Sequence, residues 1–285
     1  MNEITIVVTT FKRPALLQHC LKSIRENYPI MPILISDNGS ETKSDFAAMK
    51  RIADHYDAGV VLLPFNCGAN RARRDGILAA DSKYTILIED DMKFTRSTRL
   101  GAFYNVLERD GRVGMIGGAV RTRGRLGAIG SHLKIDWDKG IFWRTRIDDS
   151  DNKIIANGTL FYYCDYVRMF FMVRREMEIN WEVGLYPSSG SHQSIMIKLL
   201  GSEYKKAFTF ECEIEHGKSR PNRAYAAIRN DYRVKARKIF VESTGLRYGI
   251  FNNGERCEDM LTGEKMALME LSRRMNEKNG MGRSL

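Results

Sequence analysis

The first half of this sequence predicts an α/β fold with a mostly parallel central sheet flanked by helices. Short apolar runs rich in β-branched residues alternate there with segments of helical periodicity. Strands that are joined by helices in this way pair in parallel through right-handed crossovers. The composition agrees, because 43% hydrophobic and 28% charged residues in a chain of 285 are ordinary for a globular protein with one large core.

Four strands and three helices make up the alternation. Each strand is a short apolar run bounded by turn-forming residues, and the four runs are 4–10, 33–36, 60–63 and 84–88. Each helix places apolar residues at helical intervals, and the helices span about 14–28 and 46–55 and begin again near residue 70. Pro14 suits the first turn of the first helix.

The second half of the chain is less regular. Strands are predicted at 115–120 and 169–173, and an apolar helix at 195–200. Residues 136–155 mix charged and aromatic side chains, and we expect a loop or a hairpin there. Residues 259–276 are predicted to form an amphipathic helix that packs on the domain or on a second copy of the chain.

The fourth strand ends in three carboxylates, Glu89, Asp90 and Asp91. In an open α/β sheet, ligands bind outside the carboxyl ends of the strands. Adjacent carboxylates repel one another, and a divalent cation turns this repulsion into attraction. Mg²⁺ and Mn²⁺ prefer carboxylate oxygens and often bind together with substrate phosphates. The alternative is a solvated acidic turn that binds no ligand.

A basic loop precedes the strand that ends in these acids. Residues 64–76 contain Arg71, Arg73 and Arg74 near the start of a predicted helix. Free backbone N–H groups at a helix start and arginine side chains both bind phosphate, so the loop is a candidate pyrophosphate site. The alternative is a solvated basic face of the helix.

In this order, the motifs resemble those of the family 2 glycosyltransferases, which have the GT-A fold, a Rossmann-like α/β architecture. The resemblance covers the first half well and the chain to about residue 231 more loosely. Four stretches carry it: Thr9-Thr10-Phe11-Lys12-Arg13-Pro14, Asp37-Asn38-Gly39-Ser40, Asn66-Cys67-Gly68 with Ala72-Arg73-Arg74-Asp75-Gly76, and Glu89-Asp90-Asp91. The third stretch departs from the family at Arg74, where the family has Asn. The resemblance implies an inverting, nucleotide-sugar-dependent glycosyltransferase.

The resemblance also implies a division of the chain. Residues 1–240 would form the GT-A domain, with a nucleotide-sugar half at 1–115 and an acceptor half at 116–240. Residues 241–285 would form a C-terminal extension with the amphipathic helix.

The resemblance assigns a UDP-sugar as donor and Mn²⁺ or Mg²⁺ as cofactor. Asp91 would bind the metal directly, and His216 lies where relatives place a further ligand, although a surface histidine explains it equally well. Arg73 would contact the diphosphate. The residues assigned to the donor are Thr9, Thr10, Phe11, Arg13, Asp37, Asn66, Gly68, Arg73, Glu89 and Asp90.

The catalytic base is where the sequence departs from the family. Relatives carry an acid in a Glu-Asp or Glu-His pair, but the corresponding stretch here, residues 190–194, contains His192 and no carboxylate. An imidazole titrates near neutral pH, so His192 is the candidate base. Glu182 and Asp165 are the substitutes.

The net charge of +10 suggests a polyanionic partner, unless it serves solubility alone. We expect DNA as the acceptor, through hydroxymethylated pyrimidines of the kind that bacteriophages glycosylate. Surface polysaccharide or a lipid-linked glycan at an anionic membrane surface is the alternative. A non-catalytic basic nucleic-acid-binding protein is an alternative of another class. The candidate acceptor-binding residues are Arg121, Arg123, Trp143, Arg220 and Arg223.

The sequence also suggests a compartment. No signal peptide or transmembrane run is evident, and the five cysteines have no CxxC spacing. We therefore expect reduced thiols and a cytoplasmic protein, in the host cytoplasm if a phage encodes it.

Overall fold

The computed structural model describes residues 3–148, 150–177, 179, 191–217, 223–251 and 256–280. The strands within these ranges, in chain order, are β1 (Ile4–Thr10), β2 (Ile33–Asp37), β3 (Gly59–Leu62), β4 (Tyr84–Glu89), β5 (Met92–Lys93), β6 (Val113–Thr122), β7 (Arg125–Ala128), β8 (Ser131–Asp136), β9 (Ile141–Arg146), β10 (Ile154–Ala156), β11 (Thr159–Cys164), β12 (Phe171–Arg174), β13 (Lys205–His216), β14 (Tyr248–Phe251), β15 (Arg256–Asp259) and β16 (Lys265–Met266). The helices are α1 (Pro14–Asn27), α2 (Lys43–His55), α3 (Ala69–Ala79), α4 (Leu100–Arg109), α5 (Ser191–Lys198), α6 (Arg223–Thr244) and α7 (Leu268–Gly280), with a 3₁₀ helix at Leu199–Gly201.

A large sheet forms the centre of the described part of the chain. Nine of its 11 strands lie in the order β10-β11-β13-β6-β12-β4-β1-β2-β3, while β5 pairs with β13 and β7 with β6. The strands β1 to β4 pair in parallel, as predicted. β12 runs antiparallel between β4 and β6, so the sheet as a whole is mixed. The predicted α/β fold, with a large central sheet flanked by helices, is confirmed.

Two hydrophobic cores lie on opposite faces of the large sheet. Side chains along a strand point to the two faces alternately. Ile6 and Val8 of β1 therefore belong to the core that includes α1, whereas Val7 belongs to the other core. Gly76 of α3 lies so close to Val7 that an added Cβ would be 2.6 Å from the Val7 Cγ1 atom. Hence α1 and α3 cover opposite faces of the sheet that carries the strand ends described below.

A second sheet has the order β16-β15-β14-β9-β8. β8 and β9 form an antiparallel hairpin, which is one of the two structures expected for the region that begins at residue 136. β14 pairs in parallel with β9. The division of the chain at residue 240 stays a prediction; α6 crosses that residue, and the second sheet joins strands from both sides of it.

The prediction of a helix over 259–276 is wrong about where the helix starts, because α7 begins only at Leu268. The preceding residues lie in or between β15 and β16, where Cys257 pairs with Met266. Met260 is buried in the core of the second sheet. Burial across a strand pair, rather than along one helical face, therefore accounts for these apolar residues.

Two bulk features complete the description. No helix within the described ranges is long and apolar enough to cross a membrane. All five cysteines are free thiols.

Candidate active site

The carboxyl ends of β1, β2 and β4 meet at one edge of the large sheet. In the register of these parallel strands, Thr9 pairs with Glu89 and Thr10 pairs with Asp37. The loops that follow the three strands contain most of the residues assigned to the donor from the sequence. Residues that are far apart in the chain are thus adjacent at this edge, where open α/β sheets bind ligands.

Glu89 and Asp90 face different sides of the sheet. Glu89 contacts Arg73 of α3, whereas Asp90 contacts Thr10 and Arg13 at the start of α1. This division follows from the alternation of side chains along an extended chain, because α1 and α3 lie on opposite faces. The acidic run therefore contributes to two separate groups of side chains.

The first group joins Asp90 and Asp91 to Arg13. The Arg13 guanidinium donates from Nε to the Asp90 Oδ2 atom at 3.2 Å, from Nη2 to Asp90 Oδ1, and from Nη1 to Asp91 Oδ2 at 2.8 Å. Thr10 Oγ1 donates to Asp90 Oδ2 at 2.7 Å. Burial raises the pKa of Asp90 to about 7, although the charge of Arg13 and the hydrogen bond from Thr10 both act to lower it. Arg13 is therefore bound to the acids and compensates their charge.

Asp91 and His216 form the candidate metal site. β13 pairs with β5 so that His216 lies opposite Met92, which places its Nε2 atom 3.6 Å from Asp91 Oδ2. The other oxygen, Asp91 Oδ1, is buried and has no hydrogen-bond partner among the described residues. No group of three or more Asp, Glu, His or Cys side chains within those residues is arranged to hold a metal. A carboxylate and an imidazole nevertheless fit a divalent cation that binds together with substrate phosphates.

The second group joins Glu89, Arg73 and His192. Arg73 is 3% exposed and donates from Nη2 to Glu89 Oε1 at 2.6 Å and to His192 Nε2 at 2.9 Å, while Nη1 donates to Asn70 Oδ1 at 3.0 Å. A guanidinium can only donate, so the Nε2 atom of His192 is the acceptor. The structure thus brings the candidate base to the acidic strand end, through Arg73.

The pKa values in this second group move in the same direction. Burial opposes ionisation of Glu89, but the charge of the Arg73 guanidinium and its hydrogen bond outweigh burial and hold the pKa of Glu89 well below its usual range. Burial and the positive charge of Arg73 lower the pKa of His192 to about 4. At neutral pH this group therefore contains a carboxylate, a guanidinium and an uncharged imidazole, which is a weak base with one nitrogen already accepting a hydrogen bond.

Two aromatic rings follow the strands on either side of β2. Phe11 follows β1 and Phe65 follows β3, and their ring centroids are 5.6 Å apart. Between these strands, Asp37 Oδ1 accepts from the Gly39 N–H at 2.8 Å. The other oxygen, Asp37 Oδ2, is buried and has no hydrogen-bond partner among the described residues. An unpaired acceptor and two aromatic rings at this edge suit a ligand with a flat face and an N–H or O–H donor.

The turn before α3 brings backbone N–H groups to the same edge. Asn66 and Gly68 have positive φ angles of 51° and 98°, and the Cys67 N–H donates to Asn38 Oδ1 at 2.7 Å. Gly68 is the N-cap of α3 and supplies no side-chain acceptor for the first helical N–H groups. The start of α3 is therefore arranged to accept an anionic ligand.

Not every predicted residue is brought to this edge. Asp165 Oδ2 accepts from the Leu133 N–H at 3.0 Å and lies 3.8 Å from His132 Nδ1. The neighbouring Cys164 is in register with Thr85, near the start of β4, through β13, β6 and β12. Asp165 thus lies toward the opposite end of the strands from Glu89. Glu182 is outside the described residues.

The candidate acceptor residues are dispersed. Arg121 is paired through both Nε and Nη2 with the Glu213 carboxylate, and Arg123 is exposed in the turn between β6 and β7. Trp143 lies on β9 and packs in the second sheet. Arg220 is outside the described residues, and Arg223 begins α6, with a side chain that is not described.

Sequence reasoning missed two asparagines and a cleft. Asn38 accepts a hydrogen bond from the turn before α3, and Asn70 accepts one from Arg73. The sequence alone does not reveal the hydrogen-bond partner of an asparagine. A cleft of ≈ 440 Å³ along α1 reaches Asp90 and Asp91, with His19, Lys22 and Lys93 among its lining residues. Its lining residues come from α1, from residues 90–93 and from Gly217, so only the packing of these segments could reveal it.

The mixed sheet, with acidic residues at the carboxyl ends of its parallel strands, agrees with the GT-A class of glycosyltransferase folds. The sequence profile described as "Glycosyl transferase family 2" matches residues 5–177, which is more than half of the chain. The chain therefore belongs to glycosyl transferase family 2, and the resemblance stated from its motifs is confirmed.

Relatives and solved structures agree with this assignment. The chain is 32% identical over 118 residues to "Beta-1,4 N-acetylgalactosaminyltransferase 1" of Homo sapiens, a match that covers 41% of this chain and 20% of the human one. The chain thus spans about a fifth of the length of this relative. GalNAc-T7, solved with UDP, GalNAc and Mn²⁺, has a TM-score of 0.59 at 14% identity, over 85% of this chain and 50% of the other. Residues 1–349 of S. aureus TarS have a TM-score of 0.51 at 9% identity, over 84% of this chain and 64% of the other. At these identities the structures show the fold alone.

Proposed function

We propose that this protein transfers a sugar from a UDP-sugar to a hydroxyl group of a glycan, with inversion at the anomeric carbon. The observation that carries the proposal is the meeting of three features at one sheet edge of a family 2 domain. They are the unpaired carboxylate oxygen of Asp37, the uncapped start of α3 and the pair formed by Asp91 and His216. These features suit the nucleoside, the diphosphate and a divalent cation, respectively.

UDP-N-acetylgalactosamine is the donor to test first. The human relative is named an N-acetylgalactosaminyltransferase, and GalNAc-T7 was solved with UDP and GalNAc. The flat face of uracil suits Phe11 and Phe65, and the unpaired oxygen of Asp37 suits a donor on the base or the ribose.

The proposed reaction breaks the bond between the anomeric carbon and the diphosphate oxygen. The acceptor oxygen forms the new bond to that carbon, its proton passes to a base, and UDP leaves. The free backbone N–H groups at the start of α3 would stabilise the developing negative charge. A divalent cation held by Asp91 and His216 would neutralise further charge on the leaving diphosphate.

Arg73 and His192 receive revised roles in this proposal. Arg73 is almost completely buried and bound to Glu89, so we assign it to fixing Glu89 rather than to contacting the diphosphate. His192 stays a predicted base. Its hydrogen bond from Arg73 and its pKa of about 4 also suit a positioning role.

A glycan is the better acceptor for the described surface. The expectation of DNA rested on charge, and both the basic loop before β4 and the candidate acceptor residues contain arginines that are paired within the molecule. Arg71 and Arg74 both pair with Asp75, at 3.3 and 2.7 Å, and Arg121 pairs with Glu213 at 2.6 Å. Paired arginines offer less positive potential to a phosphate backbone. DNA remains the alternative that the following experiment decides.

The test is release of UDP from a panel of UDP-sugars with Mn²⁺, with soluble or lipid-linked oligosaccharides or with duplex DNA that contains hydroxymethylcytosine. We expect a glycan to stimulate release and Asp91→Asn to abolish it. The matched control is Asp81→Asn, because Asp81 is 88% exposed and lies before β4, and this change should leave release intact. Stimulation by DNA alone would replace the glycan with DNA. Salt-sensitive DNA binding without release from any donor would favour the non-catalytic binding protein.

A further inference from the structure

One oxygen of the candidate metal site, Asp91 Oδ2, already accepts a hydrogen bond from a positively charged side chain of the protein. Asp91 Oδ2 accepts a hydrogen bond from Arg13 Nη1 at 2.8 Å, and His216 Nε2 lies 3.6 Å from the same oxygen. A divalent ion held jointly by Asp91 and His216 would therefore meet the guanidinium at this atom.

The other carboxylate oxygens of the two acids are either buried or already bound by Arg13. Asp91 Oδ1 is buried without a hydrogen-bond partner among the described residues. Both oxygens of Asp90 accept from Arg13, and one also accepts from Thr10. A cation that enters through Asp91 thus competes with Arg13 for the oxygen that faces His216.

Burial makes the guanidinium necessary when no other cation is bound. The side chains of Asp90 and Asp91 are 0% and 8% exposed, and that of Arg13 is 14% exposed. Buried carboxylates without a counter-ion are strongly destabilising. All three nitrogen atoms of the guanidinium are used on these two acids, so Arg13 serves both of them at once.

The charges at the site link metal binding to diphosphate binding. Two carboxylates and one guanidinium leave a net negative site. Addition of a divalent ion makes the same group of charges positive, because Arg13 now lies beside a second cation. A diphosphate removes that excess, since it attracts both the metal and the guanidinium.

We propose that Arg13 is a built-in counter-ion that competes with the divalent cation for Asp91, so that the metal and the nucleoside diphosphate bind cooperatively. The proposal rests on the proposed function in one respect, that the site takes a divalent cation together with a nucleoside diphosphate. Arg13 acts here as a positioning residue for the acids. Its loss should therefore strengthen the binding of metal alone and weaken the coupling between metal and diphosphate.

The experiment measures the dissociation constant of Mn²⁺ by electron paramagnetic resonance on the full chain, with and without UDP. In the wild-type protein we expect weak binding of Mn²⁺ alone and strong enhancement by UDP. Arg13→Gln should bind Mn²⁺ alone at least about tenfold more tightly, with less enhancement by UDP. Arg13→Lys keeps the charge but places it on a single nitrogen, so its binding of Mn²⁺ alone should lie between that of the wild type and that of Arg13→Gln. The control is Arg51→Gln, because Arg51 is exposed on α2 and this change should alter neither constant.

A second measurement, thermal unfolding, keeps the test informative if Arg13→Gln folds poorly. Mn²⁺ should raise the thermal unfolding temperature of Arg13→Gln more than that of the wild type, because the ion replaces the missing counter-ion. Equal or weaker binding of Mn²⁺ by Arg13→Gln would overturn the proposal. Turnover of a UDP-sugar is measured separately, so such a result would leave the proposed function in place. Metal-independent turnover, with no Mn²⁺ bound by any variant, would overturn the proposal and the metal assignment together.

Discussion

At the residue scale, Glu89 and Asp90 are adjacent carboxyl groups whose pKa values move in opposite directions. The pKa of Glu89 is held well below its usual range despite burial, because the Arg73 guanidinium lies beside it and donates a hydrogen bond to it. Burial raises the pKa of Asp90 to about 7, even though Arg13 and Thr10 oppose the rise. The alternation of side chains along the extended chain separates the two groups and gives each its own arginine. Two neighbouring acids thereby acquire different properties.

His192 should make the stability of the protein depend on pH. Its pKa is lowered to about 4 in the folded protein from 6.5, so the unfolded chain binds more protons between these pH values. The free energy of unfolding therefore falls as the pH is lowered through this window. In His192→Gln this contribution is absent, and the fall should be smaller by something on the order of 2 kcal/mol.

Urea unfolding of both proteins at a series of pH values measures this difference. The contribution of Asp90 has the opposite sign, because its folded pKa is raised, but it is present in both proteins and largely cancels in the comparison. Parallel pH profiles for the wild type and His192→Gln would contradict the prediction.

At the element scale, α3 controls the position of Arg73 through its close approach to the sheet. A Cβ at Gly76 would be 2.6 Å from Val7 Cγ1 and 3.1 Å from Ser36 Cβ. Only glycine permits this spacing, and Ser36 Oγ adds a hydrogen bond of 2.7 Å to the Ala72 carbonyl oxygen of α3. The helix is thus fixed against β1 and β2 at the depth that brings Arg73 to Glu89.

Gly76→Ala should push α3 away from the sheet. We expect the free energy of unfolding to fall by about 1–3 kcal/mol, because the interior is close-packed and the added methyl meets atoms of Val7 and Ser36. The matched control is Gly101→Ala in α4, where no atom lies within 4 Å of the added Cβ. That change should be neutral or stabilising by up to about 1 kcal/mol, since Ala favours a helix. Chemical denaturation of the two variants measures both changes in unfolding free energy. Equal changes would show that the packing of α3 against the sheet is not tight.

At the scale of the whole molecule, α5 links the second sheet to the active-site edge. Met196 packs in one core of the large sheet, whereas Ile197 packs with Phe142 and Phe251 in the core of the second sheet. His192 lies in the first turn of the same helix. The second sheet therefore helps to hold His192 beside Arg73, although its strands lie far from the acids in the sequence.

Phe251→Ala should lower the free energy of unfolding of the whole protein. The Phe251 ring is 1% exposed and lies 5.5 Å from the Phe142 ring in an edge-on contact. Loss of a buried aromatic ring costs about 3–5 kcal/mol of unfolding free energy, and donor turnover should fall with it. The control is Trp137→Ala, because Trp137 is 60% exposed and its loss should change stability by no more than about 0.5 kcal/mol. Urea unfolding checks both variants. A loss in Phe251→Ala no larger than in the control would contradict this role of the second sheet.

The sequence predicted the first half of the fold well, for local reasons. β1 begins and ends where its apolar run does, and α1 begins at Pro14 as expected. Turn residues and side-chain periodicity act over a few positions, so they can be recognised without knowledge of the partners. The segment after Cys257 was assigned wrongly because its apolar residues are buried across a strand pair, and helical periodicity could not distinguish the two arrangements.

By itself, the sequence determined the family and the acidic strand end, because both rest on short runs of residues in a fixed order. Only the tertiary structure decided which arginine serves which acid. Arg73 and His192 are 119 positions apart, and Arg13 and Asp91 are 78 apart, yet each pair is in contact. Such contacts depend on how strands pair and on which face of the sheet a helix covers. The packing of the whole chain sets both, and no local pattern encodes them.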